Sequence, residues 1–214
     1  GSTLLESIIS IQNNVIDMGE VPYLEKSLNE ISDLKDIFNN YIGKIKNNKN
    51  NYVFTDKNLF NFLYCPVIYN YFPRAKIIHC IRNPLDNILS IYRTNFLKQN
   101  FSSSIIDTTE LYIYQHNLME NYKKLYGEII YSYRYDELVK NPSVEIPKLI
   151  KWLGWEWNDK FLNPHSNQRN VFTASSAQVR NSINFKGIGT WKKYKEILKP
   201  SINLIKQSKL LDDF

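Results

Sequence analysis

The sequence predicts an α/β fold built on a parallel sheet, and three observations carry that prediction. "AKIIHCI" at 75–81 is a continuous apolar run of the buried-strand type. Strand-like segments alternate with segments of helical period, the order that lays helices over a parallel sheet. The length of 214 residues, with 43% hydrophobic content, suits one domain spanning 1–214 better than two.

The elements follow in chain order. Leu4, Leu5, Ile8 and Ile9 recur at helical spacing directly after "GST". A second helix is expected from Tyr23 to about Ile42, with Leu24, Leu28, Ile31, Leu34 and Phe38 as its stripe, and "GKIKNNKNN" then reads as an exposed loop. "YVF" at 52–54 is a short strand, "LFNFLYCPVIYNYF" is largely helical up to Pro73, and 75–81 is the next strand. Asn83 is a good N-cap and Pro84 suits the first helical position, so a helix opens there with Leu85, Ile88, Leu89, Tyr92 and Phe96 facing the core. Another helix fits 107–126, and "GEIIYSYRY" is the next strand. Ser143 is expected to cap a helix with Ile146, Leu149, Ile150 and Leu153 inward and Pro147 in its first turn, where a missing N–H matters least. The stretch 155–190 is long and irregular, a length usually kept for function, and Trp191 to about Ser208 closes the chain as an amphipathic helix.

Lys plus Arg number 27 against 21 for Asp plus Glu, a net charge of +6 that suggests anionic ligands or an acidic partner. Neither Cys65 nor Cys80 shows the spacing of a zinc site or a redox pair, which points to a reducing, cytoplasmic setting. His79, His116 and His165 show no ligand spacing, so no metal is expected. No apolar run approaches the roughly 18 to 20 residues of a membrane span, and nucleic acid is not an expected partner.

The most informative stretch is "IIHCIRNPLDNILSIYR". A buried strand delivers Arg82 to the carboxyl edge of the sheet, beside a helix N-terminus that already carries partial positive charge. A cation there is favourable if an anion lies between the guanidinium and the helix end, with both donating to the same oxygens. Ser90 and Arg93 share the polar side of that helix with Asn83 and Asp86 and extend the same site. The competing reading is an exposed helix face with Arg82 paired to a carboxylate. "GSTLLES" supplies a second candidate phosphate site through Gly1, Ser2 and Thr3, without the lysine a Walker loop requires.

In order, "GSTLLESI", "GEVPYL", "TDK", "IIHCIRNPLDNILSIY", "YRYDELVKNP" with "WLGWEW", and "TASSAQVR…GTWKKY" resemble the sulfotransferase superfamily. The likeness is greatest to the bacterial tetratricopeptide-linked sulfotransferases and the tyrosylprotein sulfotransferases, and it spans Gly1 to about Lys206. It implies a P-loop-like three-layer fold, a central parallel sheet flanked by helices, that binds 3′-phosphoadenosine 5′-phosphosulfate and passes its sulfuryl group to a hydroxyl or amine, here expected to be a hydroxyl, leaving 3′,5′-ADP. By the same resemblance Gly1, Ser2 and Thr3 match the loop around the 5′-phosphosulfate, and Arg82 with Ser90 the pair that holds the 3′-phosphate. Tyr135 matches a position lining the nucleotide and Ser175 one near the sulfate bridge. Glu20 in "MGEVPYL" lies where the tyrosylprotein branch has its catalytic glutamate. Lys57 in "TDKNLFNF" matches a lysine beside the transferred group, where an ammonium suits charge building on the leaving oxygen.

Two departures stand out. Leu59 replaces a proline common two residues after the lysine, and Thr190 replaces a basic residue just before Trp191, with Lys186 and Lys192 as candidate substitutes. Relatives enter the first loop from a strand ending Pro-Arg-Ser or Pro-Lys-Ser, so the domain is expected to be truncated at its N-terminus, with little transfer activity as it stands. The acceptor is open between an acidic peptide, a sugar and a lipid headgroup. Two rival functions are a nucleotide-dependent kinase and a degenerate module that binds the 3′-phosphonucleotide without transfer.

Overall fold

The structure is a computed structural model describing residues 1–45, 52–94, 100–166, 181–208 and 210. Helix α1 (Ser2–Ile9) leads into strand β1 (Val15–Asp17), then α2 (Tyr23–Glu30), α3 (Ile37–Gly43) and β2 (Val53–Thr55). After α4 (Cys65–Tyr71) come β3 (Ile77–Ile81), α5 (Pro84–Thr94), the long α6 (Ile105–Tyr126) and β4 (Ile130–Arg134). Helices α7 (Tyr135–Lys140), α8 (Pro142–Leu153) and α9 (Lys199–Gln207) complete the described α-helices.

The strands pair in parallel, as the alternation of elements demands, but in two separate pairs. β1 lies on β2 with Val15 opposite Val53, and β3 lies on β4 with Ile77 opposite Ile130 and Ile81 opposite Arg134. Between the pairs runs a cleft of about 2490 Å³ whose walls include Val53–Thr55 of β2 and Ile77–Ile81 of β3. Residues of β1 and β4 do not line it, so β2 and β3 turn their unpaired edges toward each other. That exposure explains why 75–81, expected to be buried throughout, buries only His79 and Ile81.

The main core packs α1, α7 and α8 around Tyr133 and Phe161, with Ile8, Ile146, Leu149 and Phe161 fully buried. A second core joins α5, Tyr112 of α6 and Leu198 with Ile205 at the C-terminal side. Burial of each such side chain contributes roughly 1.5–3 kcal/mol.

Several boundaries differ from the sequence reading. The helix expected from Tyr23 to about Ile42 breaks at Ile31, which is extended, because Asp33 accepts from Lys35 N and starts a new turn. Ile37 is buried where the unbroken stripe would bury Leu34 and Phe38, which are exposed. Helix α8 begins at Pro142, one residue before the expected Ser143 cap, since the fixed φ of proline suits the first position. Pro147 consequently falls in the second turn. Trp191–Ser208 is also broken: a short 3₁₀ turn at Thr190–Tyr194 precedes α9, which Pro200 restarts. In α5, Tyr92 is exposed and Phe96 lies outside the described residues.

Candidate functional site

Each strand hands one candidate residue to the same end of the molecule. Glu20 follows the carboxyl end of β1, Lys57 that of β2, Arg82 that of β3, and Tyr135 that of β4, the edge where open parallel sheets collect their ligands. All four line the cleft, together with Gly1, Ser2, Thr3, Ser90 and Lys186. Ser175 lies outside the described residues.

At one end of the site, Lys57 is nearly buried between two carboxylates. Its Nζ donates to Glu20 Oε1 at 3.0 Å and stands 3.8 Å from Glu6 Oε2. Glu6, 4% exposed, was not expected to take part. Its Oε1 accepts from Gly19 N at 3.2 Å and Thr55 Oγ1 at 2.8 Å, while Lys57 N donates to Gly19 O at 2.9 Å. One carboxylate therefore ties α1, the Gly19–Glu20 turn and the end of β2 together, and its donors offset the cost of burying charge. The sequence carries only a partial signal for it: a glutamate stands beside Leu5 and ahead of Ile8 and Ile9, but nothing local names its partners.

The turn after Lys57 manages without proline. Asp56 Oδ1 accepts from Asn58 N at 3.1 Å and Asn61 Nδ2 at 2.8 Å, and Asn58 Oδ1 accepts from Phe60 N at 3.1 Å. Stacked side-chain-to-backbone turns of this kind replace the rigidity of a proline ring, which leaves Leu59 exposed on the cleft wall. Burial pushes the Asp56 carboxyl up despite these donors.

At the other end, Arg82 Nη2 donates to Gly187 O at 2.7 Å and the guanidinium carbon lies 5.0 Å from the centre of the Tyr135 ring. Among the described residues no carboxylate forms an ion pair with Arg82, and its buried Nε has no hydrogen-bond partner. A carbonyl and an aromatic face thus stand where the competing reading placed a carboxylate, and a donor is left over. Ser90 is exposed on α5 along the same cleft, as is Arg93, whose guanidinium sits 5.7 Å from the Tyr194 ring centre. Burial raises the Tyr135 phenol above its ordinary value, with Arg82 pulling the other way.

A glycine packs closely on each side of Tyr135. A Cβ on Gly1 would lie 2.7 Å from Tyr135 Cδ2, and one on Gly187 would lie 3.1 Å from Arg82 Nη2 and 3.3 Å from the Tyr135 hydroxyl. At Gly1 an added Cβ would force the ring to shift, and at Gly187 the two neighbouring side chains would have to give by a few tenths of an ångström.

The two helix starts at the site differ from each other, and only α5 departs from expectation. The α5 end is not open to an anion: Asn83 Oδ1 accepts from Leu85 N at 3.1 Å and Asp86 N at 3.3 Å, and Asn83 N donates to Asp136 Oδ2 at 2.7 Å. Helix α1, capped by Gly1, has no side-chain cap, and its first residues line the cleft. Asp86, expected on a polar face, is 1% exposed. Its Oδ2 accepts from Gly189 N at 2.6 Å, and its Oδ1 from Thr190 Oγ1 and Trp191 N, both at 2.9 Å. That accounts for Thr190, whose hydroxyl serves Asp86. Of the two candidate substitute cations, Lys186 lines the cleft, whereas Lys192 lines a separate cavity of about 370 Å³ at the carboxyl ends of β3 and β4.

His79 and His116 are buried between β3 and α6, with His79 Nε2 3.0 Å from Gln115 Nε2. Among the described residues no group of three or more His, Cys, Asp or Glu is arranged to hold a metal ion. No helix among them is long and apolar enough to cross a membrane. Burial pushes the Cys65 thiol up to about 11, which makes it unreactive.

A profile of the Sulfotransferase family matches residues 24–159. An uncharacterized protein of Aquifex aeolicus (strain VF5) is 28% identical over 242 aligned positions that take in all of this chain and 32% of that protein. The chain therefore spans about a third of the length of the curated relative it matches. Among solved structures, the sulfotransferase domain from the curacin biosynthetic pathway superposes with a TM-score of 0.63 at 16% identity, over 86% of this chain and 79% of that one. Mouse sulfotransferase SULT7A1, in complex with PAP, gives a TM-score of 0.53 at 15% identity, over 100% of this chain and 84% of its own. With the profile covering well over half of its residues and its α/β fold that of known sulfotransferases, the chain belongs to the Sulfotransferase family.

Proposed function

We propose that the cleft binds 3′-phosphoadenosine 5′-phosphosulfate and that the protein transfers the sulfuryl group to a hydroxyl acceptor, releasing 3′,5′-ADP. The observation that carries this reading is Arg82: a guanidinium at a strand end, fixed by a carbonyl and an aromatic ring, with a buried donor unspent and no carboxylate paired to it among the described residues. A 3′-phosphate supplies the missing acceptor. Ser90 and Lys186 add donors on the same wall, and Tyr135 flanks the nucleotide. The first residues of α1, Gly1 to Thr3, face the 5′-phosphosulfate with the partial positive charge of the helix start.

When bound, the nucleotide supplies an activated sulfur with a phosphate as its leaving group. Glu20, half exposed and 3.0 Å from Lys57, takes the proton of the acceptor hydroxyl as its oxygen bonds to sulfur. The bond from sulfur to the bridging oxygen breaks, and Lys57 with the α1 amides meets the negative charge left on that oxygen. The SULT7A1 structure contains PAP, a nucleotide of the class proposed here.

The facing edges of β2 and β3 are proposed to take one further parallel strand, supplied by the chain upstream of Gly1, which would join the two pairs into one sheet and complete the sulfotransferase domain. The greater length of the Aquifex relative leaves room for such a segment. The test is transfer of labelled sulfate from 3′-phosphoadenosine 5′-phosphosulfate into a cell extract by the full chain, extended upstream. Labelled acceptor that disappears in Glu20→Gln is the expected result. Nucleotide binding without any transfer would make this a degenerate binding module.

A further inference from the structure

Asp86 is a buried carboxylate that the proposed transfer does not use. It sits in the first turn of α5, four residues after Arg82, and its three acceptor contacts all go to one turn of chain more than a hundred residues away: Gly189 N, Thr190 Oγ1 and Trp191 N. The same turn presents Gly187, whose carbonyl accepts from Arg82 Nη2 at 2.7 Å, and follows directly on Lys186. Gly187 and the three donors to Asp86 fall within five consecutive residues, so the bonds to Asp86 and to Arg82 are made by one short turn; Thr190 Oγ1, 3.1 Å from Gly187 O, has one proton and gives it to the nearer carboxylate.

We propose that Asp86 is a positioning residue for the nucleotide end of the site: it locks the 187–191 turn onto α5, and the turn in its place aims Arg82 and Lys186 at the 3′-phosphate. The proposal rests on the nucleotide reading given above. Only a carboxylate satisfies the geometry, because all three contacts are donors and an ionised carboxyl is acceptor-only. An amide in its place would set an NH₂ against an N–H or a hydroxyl proton. The charge itself is absorbed by these donors, so a negative group can sit on the wall of an anion site without repelling its ligand. The turn needs such a latch since among the described residues it has no strand or long helix of its own.

The test measures the affinities of 3′,5′-ADP and 5′-AMP for the full chain and its variants by calorimetry. Asp86→Asn is expected to weaken 3′,5′-ADP by about tenfold or more while changing 5′-AMP by less than about twofold, the loss of one charge-assisted bond to the extra phosphate. Thr190→Val, which removes one of the three donors and leaves the carboxylate in place, is expected to give a selective loss of about threefold to fivefold. It carries the test if Asp86→Asn does not fold. In Arg82→Ala the further change to Val at Thr190 should cost little more, because the turn acts through the guanidinium. Equal losses for both nucleotides, no loss in Thr190→Val, or losses that multiply with Arg82→Ala would overturn the positioning role while leaving the nucleotide site intact. A protein that does not prefer 3′,5′-ADP over 5′-AMP, with Arg82→Ala no different, would overturn the nucleotide reading and this inference with it.

Discussion

The two ends of the cleft solve the problem of a buried charge in opposite ways. Around Lys57 the cation is already matched, by Glu20 at 3.0 Å and Glu6 at 3.8 Å, so two carboxylates share one ammonium. Around Arg82 the cation meets a carbonyl and a ring, and the nearby carboxylate of Asp86 is taken up by neutral donors. The helix starts divide the other way: α5, which follows directly on Arg82, is closed by Asn83 and Asp136, whereas α1, which carries Glu6, has no side-chain cap. Paired charges suit proton movement, whereas an unspent guanidinium suits holding an anion. The difference teaches that, in the proposed reaction, binding and transfer should be separable by mutation.

The largest separation is expected from Glu20→Gln. Loss of a general base should lower turnover by about 10² to 10⁴ while 3′,5′-ADP affinity stays within about twofold, as read by labelled-sulfate transfer and calorimetry. If turnover holds, the carboxylate end is a surface ion pair and no more.

Acid should loosen the nucleotide end through its strand instead of through Arg82. His79, three residues before Arg82 on β3, faces Gln115, His116, Glu120 and Lys123 of α6, and burial lowers its pKa from the ordinary 6.5 to about 4. Between those values the unfolded chain binds the proton and the folded one does not, so stability is full above pH 6.5 and falls as pH drops toward 4. At about 1.4 kcal/mol per unit, roughly 3 kcal/mol is lost by pH 4. Urea midpoints of His79→Gln should fall less steeply over that window than those of the unaltered protein; parallel slopes would show that the ring does not titrate with folding.

A smaller effect belongs to Arg82→Ala, which should weaken 3′,5′-ADP by about tenfold or more relative to 5′-AMP, the equivalent of one charge-assisted bond. Turnover at saturating nucleotide should change much less. Matching losses for both nucleotides would erase the distinction between the ends.

The smallest is Thr55→Val, which removes the 2.8 Å bond to Glu6 and leaves the other contacts of that carboxylate. About 1 kcal/mol of stability should go, with 3′,5′-ADP affinity unaltered, in paired melting and binding measurements.

Much of the scaffold was legible in the sequence because it follows from local periodicity. The strand at 75–81, the Asn83 and Pro84 helix start, and the strands ending near Thr55 and Arg134 all lie close to where the pattern places them. Helix ends depend on single caps, so Asp33 and Pro142 shifted boundaries that the apolar stripes alone could not fix. The residues gathered on the cleft were readable as motifs, but the groups that hold them were not. Glu6 and Asp86 act across 49 and 103 to 105 residues of chain respectively, to Thr55 and to the 189–191 turn. No local pattern encodes a contact of that span. The departures at Leu59 and Thr190 gained their meaning only with the structure, which shows Asp56 and Asn58 building the one turn and Asp86 the other.

Titrating the full chain with 3′,5′-ADP in the absence of metal, and separately with ATP and magnesium, tests the cleft as a 3′-phosphonucleotide site most directly. In the proposed site the 3′-phosphate supplies an acceptor for the unspent donor of Arg82, and ATP has no such group. The account requires tight, metal-independent binding of 3′,5′-ADP and weak binding of ATP. A clear preference for ATP with magnesium would contradict it and make the protein a kinase-like member of its fold.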